Sequence, residues 1–198
     1  MNKKKLTALV ASLGLVACIG VGATLAYFTD SEEVNNVVEM GNVDIDLTEP
    51  LFSGTYPGNK ISNVTPNMTI TKDPTITLAS GSENAYVRAK VEYKLDGYEM
   101  DSDKAKELEK TMNIPSTLWV KSGNYFYCQG VLKDLPSENQ VVLFDKVTIP
   151  ASWGNEVANK TLEINVTAQA IQADNFTPET DAYGRIIGWG PEATPLNK

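Results

Sequence analysis

Apolar and polar residues alternate along much of the chain, and a period of two marks strands with one dry face and one wet face. Val43, Ile45 and Leu47 share one side, while Asp44, Asp46 and Thr48 take the other. The pattern is cleanest over 84–95, where Val87, Ala89, Val91, Tyr93 and Leu95 oppose Arg88, Lys90, Glu92 and Lys94. Leu162, Ile164, Val166, Ala168 and Ala170 repeat it later. Further strands are predicted over 67–71, 75–79, 118–121, 125–130 and 141–149. Asp73-Pro74, Ser80-Gly81, Ser122-Gly123-Asn124 and Pro136-Ser137 supply the turns between them. One segment departs from this period. Residues 102–112 read as a helix with Ser102 as its cap, Asp103 in the first turn, and Ala105, Leu108 and Met112 on one apolar stripe. The expected fold is all-β, an antiparallel β-sandwich with one short helix over one end. Beyond Ala173, Pro, Gly and acidic residues interrupt Tyr183, Ile186, Ile187 and Trp189, which predicts an irregular tail with room for one short strand.

The start of the chain follows a different rule. Residues 2–5 are basic, 6–21 are apolar, and Thr24-Leu25-Ala26 is a small-x-small site of the kind signal peptidases cut after. Cleavage is expected between Ala26 and Tyr27. Two rivals stay open. Leu15-Val16-Ala17-Cys18 has the form of a lipobox, which would make Cys18 a lipidated N-terminus. The uncharged run over 6–28 is also long enough to span a bilayer uncut.

Composition narrows the partners. The chain has 198 residues, 42% of them hydrophobic, enough for one domain with a real core. Its formal charge is −8, and removing a leader that carries Lys3, Lys4 and Lys5 but no acid takes it to −11. Nucleic acid and anionic lipid are poor partners for so acidic a chain. Membrane contact is therefore expected only before cleavage. There is no histidine, which removes the commonest general base and the commonest zinc ligand. Cys18 and Cys128 cannot pair in a processed chain, so no disulfide framework is expected.

The search for chemistry assigns no catalytic, cofactor-binding or metal residue. Cys128 has no histidine to activate it, and between Tyr127 and strand residues it reads as a buried thiol. Glu107 and Glu109 face different ways on the predicted helix and make no acid–base pair. Asp101-Ser102-Asp103 begins like a calcium loop but lacks the glycine and terminal glutamate of an EF-hand. Asp44 and Asp46 read as a solvated strand face. Asn-x-Thr sequons begin at Asn63, Asn67, Asn159, Asn165 and Asn175, and with this leader they read as β-surface composition rather than glycan sites. Trp153 and Trp189 lie among glycines, where they serve either as core anchors or as platforms for sugars.

Several segments together resemble one family. Thr24-Leu25-Ala26-Tyr27-Phe28-Thr29-Asp30, Asn35-Asn36 and Gly41-Asn42-Val43-Asp44-Ile45-Asp46-Leu47 are similar to the start of the TasA/camelysin family. Ala85-Tyr86-Val87-Arg88, Trp153-Gly154-Asn155-Glu156 and Ala168-Gln169-Ala170-Ile171-Gln172-Ala173-Asp174 extend the resemblance more weakly through the body. The resemblance implies a secreted Gram-positive protein, cut by a SipW-type signal peptidase and folded as a jelly-roll sandwich. It also implies a structural subunit of extracellular matrix or surface fibres in which the N-terminal segment of one copy adds a strand to the next. On that reading 1–26 are the signal peptide, 27–42 the possible donor strand, and 43–198 the sandwich with its tail. Tyr27, Phe28, Val34, Val37 and Val38 are the candidate donor anchors, and the partners are other copies and other matrix proteins. The alternative is a monomeric cell-surface adhesin or carbohydrate-binding module. A secreted camelysin-type peptidase is the third reading, opposed by the missing histidine.

Overall fold

The computed structural model of the chain describes residues 42–56, 61–154, 157, 160–191 and 195–197. The chain divides into two compact units, Met1–Met40 and Gly41–Lys198, and only the second falls among the described residues. Ala26, Tyr27, Phe28, Val34, Val37 and Val38 all lie outside them.

The second unit is all-β, antiparallel and sandwich-like. A three-stranded sheet has the order β1 (Ile45–Thr48), β3 (Thr75–Leu78), β8 (Gln140–Val142). The larger sheet has the order β13 (Leu196–Asn197), β10 (Leu162–Gln172), β4 (Ala85–Leu95), β7 (Tyr125–Leu132), β6 (Trp119–Ser122), with β5 (Tyr98–Glu99) also on β4. A separate pair, β2 (Thr69–Thr71) and β9 (Lys146–Thr148), adds Ile70 and Val147 to the core. The centre of the large sheet is the long β4–β10 pairing, in register from Ala85↔Gln172 to Leu95↔Leu162. Alternation sends Ala85, Val87 and Ala89 of β4 inward with Ile164, Ala168 and Ala170 of β10. They meet Ile45, Ile76 and Leu78 of the small sheet in one buried cluster.

Four sequence expectations need correction. There are two short helices rather than one. α1 (Pro50–Thr55) follows β1 and buries Phe52; its Ser-Gly-Thr run is poor helix former, and it is held by a side chain from elsewhere, described below. The second helix, α2 (Ser102–Lys110), is capped by Asp101 rather than Ser102: the Asp101 carboxylate accepts from the N–H groups of Asp103 and Lys104. It ends at Lys110, so buried Met112 lies just past it. The stretch 141–149 is not one strand. It leaves β8, turns at Leu143, Phe144 and Asp145, and enters β9 against a different partner.

The tail is more ordered than its composition suggests. β11 (Glu179–Thr180) and β12 (Ile186–Gly188) pair with each other. They help cover the outer face of the large sheet, where Tyr127, Ile186 and Trp189 form a second buried cluster with Tyr86, Tyr125, Ile171 and Phe176 against it. Arg88, expected on a wet face, stacks there between Tyr125 at 4.0 Å and Trp189 at 4.4 Å. A shift of register in the β4–β7 pairing, between Tyr86 and Arg88, brings an irregularity to β7 opposite them. Gln129, within that stretch, exchanges two hydrogen bonds with the Ile186 backbone at 2.8 and 3.0 Å.

Candidate functional site

A sandwich has two seams where the edges of its sheets meet, and here they differ. At one seam β6 and β8 are the edges. Trp119 on β6 donates its indole N–H to the Val142 carbonyl on β8 at 2.9 Å, which stitches this seam shut. At the other seam the small sheet ends in β1 and the large sheet in β13, which is only two residues long and leaves most of β10 as the effective edge.

The β10 edge is partly unoccupied. Leu162 exchanges backbone hydrogen bonds with Ile61 at 3.1 and 3.3 Å, so its N–H and C=O point away from β4. Backbone groups alternate sides along a strand, so Ile164 and Val166 also present theirs outward. β13 pairs only with Gln169 and Ala170. Between that short pairing and the Ile61 bridge, no described residue pairs with this edge. An open cleft of about 460 Å³ lies there, lined by Leu47, Pro50, Ile164 and Val166 with Thr48, Ser53 and Asn165.

The same cleft is lined by an ion pair, Lys72 and Glu49. The Lys72 ammonium donates to both Glu49 oxygens at 2.6 and 2.7 Å and sits 4.0 Å from the centre of the Phe52 ring. Lys72 is 2% exposed, whereas the Glu49 side chain is 13% exposed, so the carboxylate is the more accessible partner. Burial pushes the Lys72 ammonium below its ordinary value, opposed by the hydrogen bond and charge of Glu49 and by the charge of Asp73. Asp73 serves α1 instead. Its carboxylate accepts from the N–H groups of Leu51 and Phe52, satisfying the helix start from a distant loop. This explains why α1 forms on a weak helical sequence. In the sequence Asp73-Pro74 marks only a turn, and proline at the first position of α1 is the one local signal of that helix.

The other candidates separate. Glu107 accepts from the Trp153 indole N–H at 3.0 Å, and Glu109 pairs with Lys121 and the Tyr93 hydroxyl. They share no site. Cys128 is buried, and burial pushes its thiol up, away from the thiolate. Trp153 and Trp189 are 2% and 4% exposed, so neither offers a ring face for stacking.

A family model described as camelysin metallo-endopeptidase matches residues 1–179. The chain belongs to the camelysin family. No curated protein and no solved structure matches it. The family description implies a catalytic metal, and the described residues do not fit one. This camelysin-family chain has no histidine. Among the described residues no three His, Cys, Asp or Glu side chains converge as a ligand set, and Cys128 is held as a buried thiol.

Proposed function

We propose that the chain is a secreted structural protein whose copies polymerise by strand addition. Processing by a SipW-type signal peptidase would free Tyr27, and residues 27–40 of one copy would pair with the β10 edge of the next. The observation that carries this reading is the outward-facing backbone of Ile164 and Val166, unpaired among the described residues, in an apolar-lined seam. An added strand satisfies those groups and covers Leu47, Ile164 and Val166. Donor and acceptor are different segments of the chain, so the contact is heterologous, the kind that gives open-ended fibres when the rotation does not close. Extracellular matrix or the cell surface is the matching location.

The adhesin or carbohydrate-binding reading loses its best platforms with Trp153 and Trp189 buried. The peptidase reading rests on the family description and finds no ligand set among the described residues to support it. Electron microscopy and size-exclusion chromatography of the leader-free protein test the proposal. Deleting 27–38, or combining Val37→Asp with Val38→Asp, should leave a folded monomer that forms no fibres. Normal fibres from either variant would reject strand addition. Stoichiometric zinc with chelator-sensitive cleavage of casein would revive the peptidase.

A further inference from the structure

We infer that the Lys72–Glu49 pair sets the register of the incoming strand by receiving the side chain of Asn36 from a neighbouring copy. This rests on the strand-addition reading above and adds to it which residue meets which.

The donor segment has two faces. Over 34–40 the even positions are Val34, Asn36, Val38 and Met40, and the odd ones are Asn35, Val37 and Glu39. The even positions suit the apolar part of the cleft better, because they carry three apolar residues where the odd ones carry one. Asn36 is the single polar member of the even face. The cleft is mixed: Leu47, Pro50, Ile164 and Val166 are apolar, Thr48, Ser53 and Asn165 are neutral and polar, and Lys72 with Glu49 forms its one charged pair.

The chemistry of that pair favours an amide. Glu49 accepts hydrogen bonds from Lys72, lines the cleft with its side chain 13% exposed, and has lone pairs left to accept more. A strand that covered the pair with four apolar side chains would strip water from those lone pairs without replacement. The Asn36 amide donates two N–H groups to them while adding no charge. A slip of two residues would instead set Val34 or Val38 over the carboxylate, so the polar match penalises the wrong register. The more accessible partner is anionic, which makes the position sensitive to the sign of any charge placed there.

Single substitutions in the full leader-free chain test this, with fibre yield read by sedimentation and microscopy. Asn36→Asp sets a second carboxylate against Glu49 and should lower fibre yield about tenfold or more. Asn36→Lys should be better tolerated. At Asn35, on the outward face, the same two changes should differ much less from each other. Glu49→Gln added to Asn36→Asp should restore assembly, with circular dichroism confirming that the double variant folds. If it does not fold, the contrast of Asp and Lys at position 36 against position 35 carries the test alone. Wild-type assembly by Asn36→Asp, while Val37→Asp with Val38→Asp abolishes fibres, would overturn the register and leave strand addition standing. A sign preference at Asn35 but not Asn36 would also overturn it. Assembly unaffected by any of these variants would reject strand addition itself.

Discussion

Cys128 and the Lys72–Glu49 pair show two ways of burying an ionisable group. The thiol stays neutral because burial raises it above its ordinary value of about 8.5. Its contribution to stability is complete below that range and falls as pH rises, since the unfolded thiol ionises first. Tyr93 is raised in the same way, by burial and by Glu109, and adds to the loss at higher pH. Thermal melts at pH 7 to 10.5 should show a falling midpoint above about pH 8.5, with a shallower fall in Cys128→Ala. An equal slope in that variant would mean Cys128 does not titrate with unfolding. The Lys72 ammonium, lowered by burial, is instead held by a partner, donating to both Glu49 oxygens. Glu49→Leu, which strands that charge, should cost roughly 3–5 kcal/mol, while Glu49→Leu with Lys72→Met should recover most of the loss. If the double variant is no more stable than the single, the pair contributes packing that an apolar replacement cannot supply.

The strands show where alternation informs and where it misleads. Over 85–95 and 162–172 the period was legible because one face of each strand meets the core, and the two strands pair along their whole length. At Arg88 the same period suggested water, yet the side chain is stacked between Tyr125 and Trp189 and its Nε bonds Gln169 at 2.6 Å. No local pattern can reveal that a segment a hundred residues away will cover the second face. The candidate site was illegible for the same reason: Glu49 and Lys72 are distant in sequence, and the capping of α1 by Asp73 exists only in the fold. The tail hairpin therefore depends on few attachments, chiefly Arg88, Gln129 and the aromatic cluster. Arg88→Ala should raise hydrogen exchange over 176–191 while β4 and β10 keep their protection. Uniform loss of protection through the sheet would mean that tail and sandwich open as one unit.

On the scale of the whole molecule, charge opposes the strand addition proposed at the open seam. A chain cut after Ala26 would carry −11, and residues 27–40 contribute Asp30, Glu32, Glu33 and Glu39 to that excess. A copy approaching another must therefore bring an acidic segment toward an acidic body before any apolar contact forms. This repulsion acts over about 30 Å at 0.01 M salt but only about 8 Å at 0.15 M. The attractive terms, backbone pairing at β10 and burial against Leu47, Ile164 and Val166, are short-ranged and far less sensitive to salt. Salt should thus speed association without being needed to hold the finished fibre. Light scattering of leader-free protein should show a long lag at 10 mM salt that shortens steeply by about 150 mM, the range over which screening becomes effective. Fibres formed at the higher salt should persist when it is diluted. Slower association as salt rises would indicate that attraction between opposite charges, rather than strand addition at an apolar seam, drives the encounter.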